Sequence, residues 1–364
     1  MSTRVLVVDD TAIFRRIVSD ALTGLPGVEV VGTAANGRMA LARMAALQPD
    51  LLTLDIEMPE MNGIEVLEAM TAGKAKAAVI MLSALTRRGG EMTVRGLELG
   101  AFDFLTKPEG GSAERNLEHL RSRLLPMIRA FERRREIRDM LRGEGPACAL
   151  GIPPAAACAT PRPARTARRA GAPLVLIGVS TGGPSALATL VPGLPGDLGA
   201  PVFIAQHMPA LFTQPLAASL DKRSALHVKE AQDGEAARAD CVYIAPGGRH
   251  MKLVPGPGGE IVVRITDDPP ENGCRPGVDY LFRSAALHFP GRAVAAILTG
   301  MGYDGTAGLQ TLKRSGCFSI AQDEATCVVF GMPKGAIQAG VVDTVAPLET
   351  IAAAIVKSVR EARS

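Results

Sequence analysis

Ser180, His207 and Asp304 each stand just beyond a short apolar run. Together they could supply a nucleophile, a base and an acid that orients the base. Gly178-Val179-Ser180-Thr181-Gly182 fits G-x-S-x-G, where small neighbours permit the sharp turn that exposes a serine hydroxyl at a helix N-terminus. The same turn could instead cradle a phosphate, although it lacks the lysine of a P-loop. His207, after Pro201–Ala205, reads as a base or as a structural histidine bonded to nearby backbone. Asp304, after Ala293–Leu298, reads as the orienting acid or as a helix N-cap. Neighbouring parallel strands would bring all three to one carboxyl edge, which favours the joint reading. His207 would then take the serine proton and return it to the leaving group. Backbone N–H groups near the glycine-rich turns would stabilise the oxyanion, at roughly 3–4 kcal/mol per donor. The chain order Ser, His, Asp differs from the Ser, Asp, His order of α/β-hydrolases, so that fold is not implied.

A second constellation lies near the start of the chain. Asp9 and Asp10 follow the first apolar run and Asp55 ends the third. Three carboxylates at one sheet edge repel one another unless a hard cation lies between them, and Mg²⁺ suits such oxygen ligands. Ser83 and Lys107 end the fourth and fifth runs, where each could contact a phosphoryl oxygen.

These residues need strands to hold them, and the pattern supplies strands. Up to about Pro108, runs at Arg4–Val8, Val28–Ala34, Leu51–Leu54, Val79–Leu82 and Asp103–Leu105 alternate with amphipathic segments. Residues 112–142 read as a final helix with an arginine-rich end. Ala, Pro, Gly and Arg dominate 143–173, a composition suited to a flexible connector. From Leu174 the strand–helix alternation resumes, with a hairpin expected near Met251–Ile265 around a Gly/Pro turn. The expected class is α/β with two doubly wound domains: residues 1–125, an extension and linker at 126–172, and a parallel-sheet domain at 173–364.

Composition narrows the functions available. A chain of 364 residues fits two cores, and 47% hydrophobic with 21% charged residues is ordinary for a globular protein. A net charge of +3, no tryptophan and no visible helix-turn-helix argue against nucleic acid. No apolar run approaches the roughly 18 residues of a membrane span, and the N-terminus lacks a signal-peptide pattern. The six cysteines have no paired metal spacing and read as reduced cytoplasmic thiols. His119, His227, His250 and His288 likewise lack metal spacing and read as structural.

Val5-Leu6-Val7-Val8-Asp9-Asp10, Asp55-Ile56-Glu57-Met58-Pro59, Asn62-Gly63, Ser83-Ala84 and Lys107-Pro108 resemble the response-regulator receiver domain, a flavodoxin-like fold. The resemblance implies that Asp55 accepts phosphate from a histidine kinase. It implies Mg²⁺ on Asp10, Asp55 and the backbone carbonyl of Glu57, with Asp9 assisting, and Phe104 as the aromatic switch residue.

Gly178–Gly183, Gln206–Pro209, Thr299–Gly305 and the Glu271-Asn272-Gly273-Cys274-Arg275-Pro276 segment with Asp279 resemble the chemotaxis protein-glutamate methylesterase family. That resemblance implies Ser180 as nucleophile, His207 as base, Asp304 as orienting acid and the Met301 N–H as oxyanion donor. Hydrolysis itself would need no cofactor. The implied substrates are methylated chemoreceptor cytoplasmic domains, with methanol released and selected glutamines deamidated. A phosphorylation-controlled cytoplasmic monomer recruited to receptor arrays is expected, its receiver covering the catalytic edge until Asp55 is phosphorylated. Arg275 could position an acidic substrate or form a structural salt bridge. Competing readings are a receiver-controlled esterase or amidase on another substrate, and a non-catalytic response regulator.

Overall fold

Val5-Leu6-Val7-Val8 and Leu51-Leu52 are wholly buried, as parallel strands covered on both faces must be. The computed structural model describes residues 2–108, 110, 112–141 and 172–363. The N-terminal domain begins β1 (Thr3–Val8), α1 (Ala12–Thr23), β2 (Val28–Ala34), α2 (Gly37–Leu47) and β3 (Leu51–Asp55). It continues α3 (Gly63–Ala72), β4 (Ala78–Ser83), α4 (Arg87–Glu98), β5 (Asp103–Thr106) and α5 (Ala113–Leu141). The strands pair in parallel in the order β2-β1-β3-β4-β5. Two apolar clusters, one on each face, form the core.

Local sequence sets several boundaries. The Asn62 side chain accepts from the N–H groups of Ile64 and Glu65, and Glu65 bonds back to the Asn62 N–H. This capping box fixes the start of α3 and contributes on the order of 1 kcal/mol. Helix α5 passes residue 125 unbroken, with Pro126 inside it. Most of the expected Ala/Pro/Arg connector, residues 142–171, lies outside the described residues.

The second domain opens with β6 (Leu174–Val179), α6 (Gly183–Leu190), β7 (Val202–Gln206), α7 (Thr213–Asp221), β8 (His227–Glu230) and β9 (Cys241–Ile244). An antiparallel ribbon of β10 (His250–Pro255) and β11 (Ile261–Thr266) follows, around the turn foreseen in the sequence. Then come α8 (Val278–His288), β12 (Ala293–Ile297), α9 (Thr306–Arg314), β13 (Phe318–Gln322), α10 (Met332–Gln338), β14 (Thr344–Ala346) and α11 (Leu348–Arg363). Seven strands form one parallel sheet, β14-β13-β12-β6-β7-β9-β8. The pattern of the sequence does not foresee α10 or β14. The first is seven residues long and the second three, too short for a period to show.

The two domains pack through α4. Val94 on α4 belongs to the same buried cluster as Phe212 and Leu216 of the second domain. Phe104 at β5 stacks on Phe212, with ring centroids 5.0 Å apart and planes inclined by 18°. Glu98 hydrogen-bonds Ser219, and Arg133 on α5 pairs with Glu324. Gly90 lets α4 approach the other backbone directly. A Cβ there would lie 2.5 Å from the Leu211 carbonyl oxygen. Gly90→Val is therefore expected to push the domains apart while each stays folded. Small-angle scattering checks this: the radius of gyration should rise, and an unchanged value with unchanged melting would show that the contact yields locally.

Candidate active site

Ser180 leaves β6 at the centre of the seven-stranded sheet, and its N–H donates to Thr299 O at 3.0 Å beyond β12. Gly182 takes φ 73° and α6 begins at once with Gly183 and Pro184. A Cβ at Gly183 would meet Gln206 Oε1 at 1.9 Å, so a larger residue there would displace the Gln206 amide. Gln206 is buried, and its Nε2 donates to Ser180 O at 3.0 Å and to His207 O at 3.1 Å. It clamps the serine and histidine loops together. The Thr299 hydroxyl donates to Thr181 O at 3.0 Å and accepts from Val329 N at 2.9 Å. The sequence assigned neither residue a role, because a buried amide or hydroxyl at a strand end has no reactive signature. Their position after strands that flank β6 was the available signal.

His207 and Asp304 meet as the spacing suggested: Nε2 lies 2.7 Å from Asp304 Oδ2. Asp304 is buried at the N-terminus of α8. Its Oδ2 accepts from Val278 N at 2.8 Å, and its Oδ1 from Asp279 N and Gly305 N, both at 3.0 Å. The N-cap reading is corrected: Gly305 caps α9, and the Asp304 carboxylate instead accepts from the first turn of α8, from across the sheet edge. Burial would raise the Asp304 pKa, but His207 and these backbone donors hold it well below the usual carboxylate range. Burial pushes the imidazolium of His207 down. Hydrogen bonds and charge from Asp304 and Cys274 more than offset this, leaving its pKa raised to about 9.

Ser180 and His207 line one cleft of about 660 Å³, with Met301, Cys274 and Arg275 around it. The Ser180 hydroxyl is not engaged by any described residue, so the His–Asp contact is closed and the Ser–His contact is not. Nucleophile–base contacts of this kind commonly tighten only with substrate bound. The N–H of Met301 is likewise unengaged among the described residues and stands at the cleft. Arg275 donates to the carbonyls of Asp267 and Asp268 at 3.2 and 3.3 Å. The hydrogen bond and charge of Arg249, and after them the charge of Arg275, hold the Asp267 carboxyl below the usual carboxylate range.

The opposite wall of the cleft comes from the first domain: Asp103, Phe104, Arg123 and Met127. The Asp103 carboxyl accepts from Phe104 N at 2.9 Å and reaches the Gly182 backbone. Burial pushes its pKa up to about 7, against those backbone bonds and the charge of Arg123.

In the first domain Asp9, Asp10 and Asp55 converge, with one oxygen of each within 4.8 Å of the others. Lys107 Nζ bridges Asp9 Oδ2 at 2.7 Å and Asp55 Oδ2 at 2.8 Å. Burial first, and then the charges of Asp9 and Asp10, raise the Asp55 pKa to about 6 although Lys107 opposes them. This crowding of hard oxygen donors fits a divalent cation, which would relieve the repulsion. The Glu57 side chain turns to Arg88, 3.9 Å away. The Ser83 hydroxyl donates to Gly89 O at 3.2 Å and accepts from Thr93 Oγ1 at 2.9 Å, so it faces α4 and would have to turn to meet a phosphoryl group.

Comparison with known proteins agrees with this geometry. Residues 175–355 match the CheB methylesterase model and residues 5–118 the response regulator receiver domain model. A protein-glutamate methylesterase/protein-glutamine glutaminase of Desulfotalea psychrophila is 48% identical over 98% of both chains. One of Bacillus subtilis is 43% identical over 99% of both. The crystal structure of the Thermotoga maritima CheB methylesterase catalytic domain superposes with a TM-score of 0.51 at 42% identity, covering 52% of this chain and 100% of that one. With two parallel α/β domains, a His–Asp pair beside a strand-end serine, and relatives matched along nearly their full length, the chain belongs to the CheB family of protein-glutamate methylesterases, with a response regulator receiver domain at its N-terminus.

Proposed function

We propose that this enzyme hydrolyses glutamate methyl esters, and deamidates glutamines, on the cytoplasmic segments of chemoreceptors, under control of phosphorylation at Asp55. The observation that carries the reading is the hydrogen-bonded His207–Asp304 pair beside Ser180 in a cleft whose far wall is the receiver. His207 removes the Ser180 proton as Oγ attacks the ester carbonyl. The Met301 N–H receives the oxyanion, and Asp304 stabilises the imidazolium. The tetrahedral species collapses, the C–O bond to the methoxy group breaks, and His207 protonates departing methanol. Water then attacks the acyl-serine, with His207 again as base, giving free carboxylate and Ser180. A glutamine follows the same course with ammonia as leaving group.

Asp10, Asp55 and the Glu57 carbonyl, assisted by Asp9, would hold Mg²⁺, which when bound neutralises charge on the incoming phosphoryl group. A histidine kinase is the proposed phosphodonor, and Lys107 would contact a phosphoryl oxygen on Asp55. Drawing the Ser83 hydroxyl toward that group removes its bond to Gly89 O, next to Gly90 at the interface. Loosened α4 and a turned Phe104 would then release Phe212 and open the cleft. A cytoplasmic monomer recruited to receptor arrays accords with this chemistry. No helix among the described residues is long and apolar enough to cross a membrane.

Methanol release from methylated receptor membranes tests this with acetyl phosphate and Mg²⁺ present or absent. Stimulated release is expected. It should be lost in Ser180→Ala by at least roughly 10³-fold, and should lose only its stimulation in Asp55→Ala. Turnover of unrelated esters without release from any receptor would keep the triad and discard the substrate.

The raised His207 pKa sets a pH dependence. A protonated imidazole cannot accept the serine proton, so kcat/KM of unphosphorylated protein should rise with pH to a midpoint near 9 and not near the ordinary 6.5. The linked stability has the opposite sense. It is fully present below the unfolded value of 6.5 and is lost as pH climbs through about 9. A pH series of kcat/KM and melting temperature checks both, and a midpoint near 6.5 would remove the assigned coupling to Asp304 and Cys274.

A further inference from the structure

Asp304 Oδ1 has a partner that the triad does not use. The Nδ2 of Asn272 donates to Asp304 Oδ1 and to Asp279 Oδ2, each at 3.1 Å. One amide nitrogen carries two protons, and each carboxylate takes one. Asp279 is itself buried, and its Oδ1 accepts from Gly308 N at 2.6 Å in the first turn of α9. The two carboxylates therefore serve crosswise, Asp304 on the start of α8 and Asp279 on the start of α9. Between them stands the amide of Asn272.

The backbone holds that amide in place. Glu271 and Cys274 exchange both backbone hydrogen bonds, at 3.1 and 2.7 Å, around Asn272 at φ 51° and Gly273 at φ 74°. Two positive φ values in a two-residue loop are what a type I′ turn requires, and Asn-Gly is its preferred sequence. Asparagine bears the left-handed conformation at low cost, so the turn holds its side chain without strain.

We propose that Asn272 is a positioning residue for Asp304: the Asn272-Gly273 turn aims an amide that ties Oδ1 of Asp304 to Asp279 and so commits Oδ2 to His207. This rests on the triad reading above. Charged and titratable groups around the cluster are His207 and Cys274 on the imidazole side, and Asp279 from α8. Glu271 of the turn is paired with Arg283, and Arg275 is held by the carbonyls of Asp267 and Asp268. Burial, with the charge of Asp304, raises the Asp279 pKa to about 6, while Gly308 N–H and Asn272 oppose it. Removing the amide leaves more negative potential at His207, which holds its proton to higher pH.

The test uses the full chain with acetyl phosphate and Mg²⁺, methanol release from methylated receptor membranes, and a pH profile of kcat/KM. Asn272→Gly keeps the turn and deletes the amide; Asn272→Asp keeps the turn and adds a charge; Asp279→Asn removes one. Asn272→Gly should lower kcat at least about tenfold with KM changed less than about twofold. The midpoint of the rising limb should move up in Asn272→Gly, further up in Asn272→Asp, and down in Asp279→Asn. Wild-type kcat and midpoint in Asn272→Gly would overturn the assignment, as would losses of kcat with unmoved midpoints in all three variants. Ser180→Ala run alongside separates the two levels. If it stays active, the triad reading falls and takes this inference with it; if it is dead while Asn272→Gly is normal, only this inference falls.

Discussion

A carboxylate buried beside a sheet edge must find donors for its oxygens or give up its charge. Asp304 finds three backbone N–H groups, the Asn272 amide and the His207 imidazole. Two of those N–H groups open α8, where the helix dipole also favours negative charge. The first turn of α8, the backbone at Gly305 and the Asn272-Gly273 turn all supply donors to that one carboxylate. Gly305 has φ 94°, and a Cβ there would meet Ile297 at 2.6 Å and Val278 at 2.8 Å, so no larger residue would let the aspartate settle on the helix. The imidazole is oriented by a group that is itself fixed on several sides.

The same constraint has a second solution in the receiver. Asp9, Asp10 and Asp55 have few backbone donors, and Lys107 supplies the compensating charge instead. That compensation is replaceable, as the proposed binding of a cation and a phosphoryl group would need. A carboxylate held by backbone stays ionised and in place. One held by a lysine on a flexible stem, such as Asp55 with its raised pKa, can exchange partners. The two acidic centres thus differ in the way their proposed roles would require.

Much of this was legible in the sequence because parallel sheets put loop residues at one edge. Ser180, His207 and Asp304 each follow a run that became β6, β7 or β12, and these three are adjacent in the sheet. Strand order was not legible: β9 lies between β7 and β8, and nothing in an apolar run names its neighbour. The roles of Gln206, Asn272 and Asp279 were not legible either. Each acts by bonding a group distant in sequence, Asn272 to Asp304 across 32 positions, so its meaning exists only in the folded chain. The tilt of Ser83 toward α4 is of the same kind, since a hydroxyl at a strand end can face either way.

How far the domains must move follows from the contact itself. The proposed receptor substrate, if presented as a helix, would have a diameter of about 10–12 Å with its side chains, while Phe104, Arg123 and Met127 already stand across the cleft from His207. Rotating side chains cannot clear that width. At α4 the approach is already direct, Gly90 resting against the Leu211 carbonyl just before α7 with no side chain between them. Phe104 meanwhile lies flat on Phe212. Packed interfaces of this kind shift between discrete arrangements and do not deform smoothly. On the proposed reading, access to Ser180 would call for separation of the receiver as a body, and α5, which carries Arg123 and Met127 and runs on to Leu141, would leave with it.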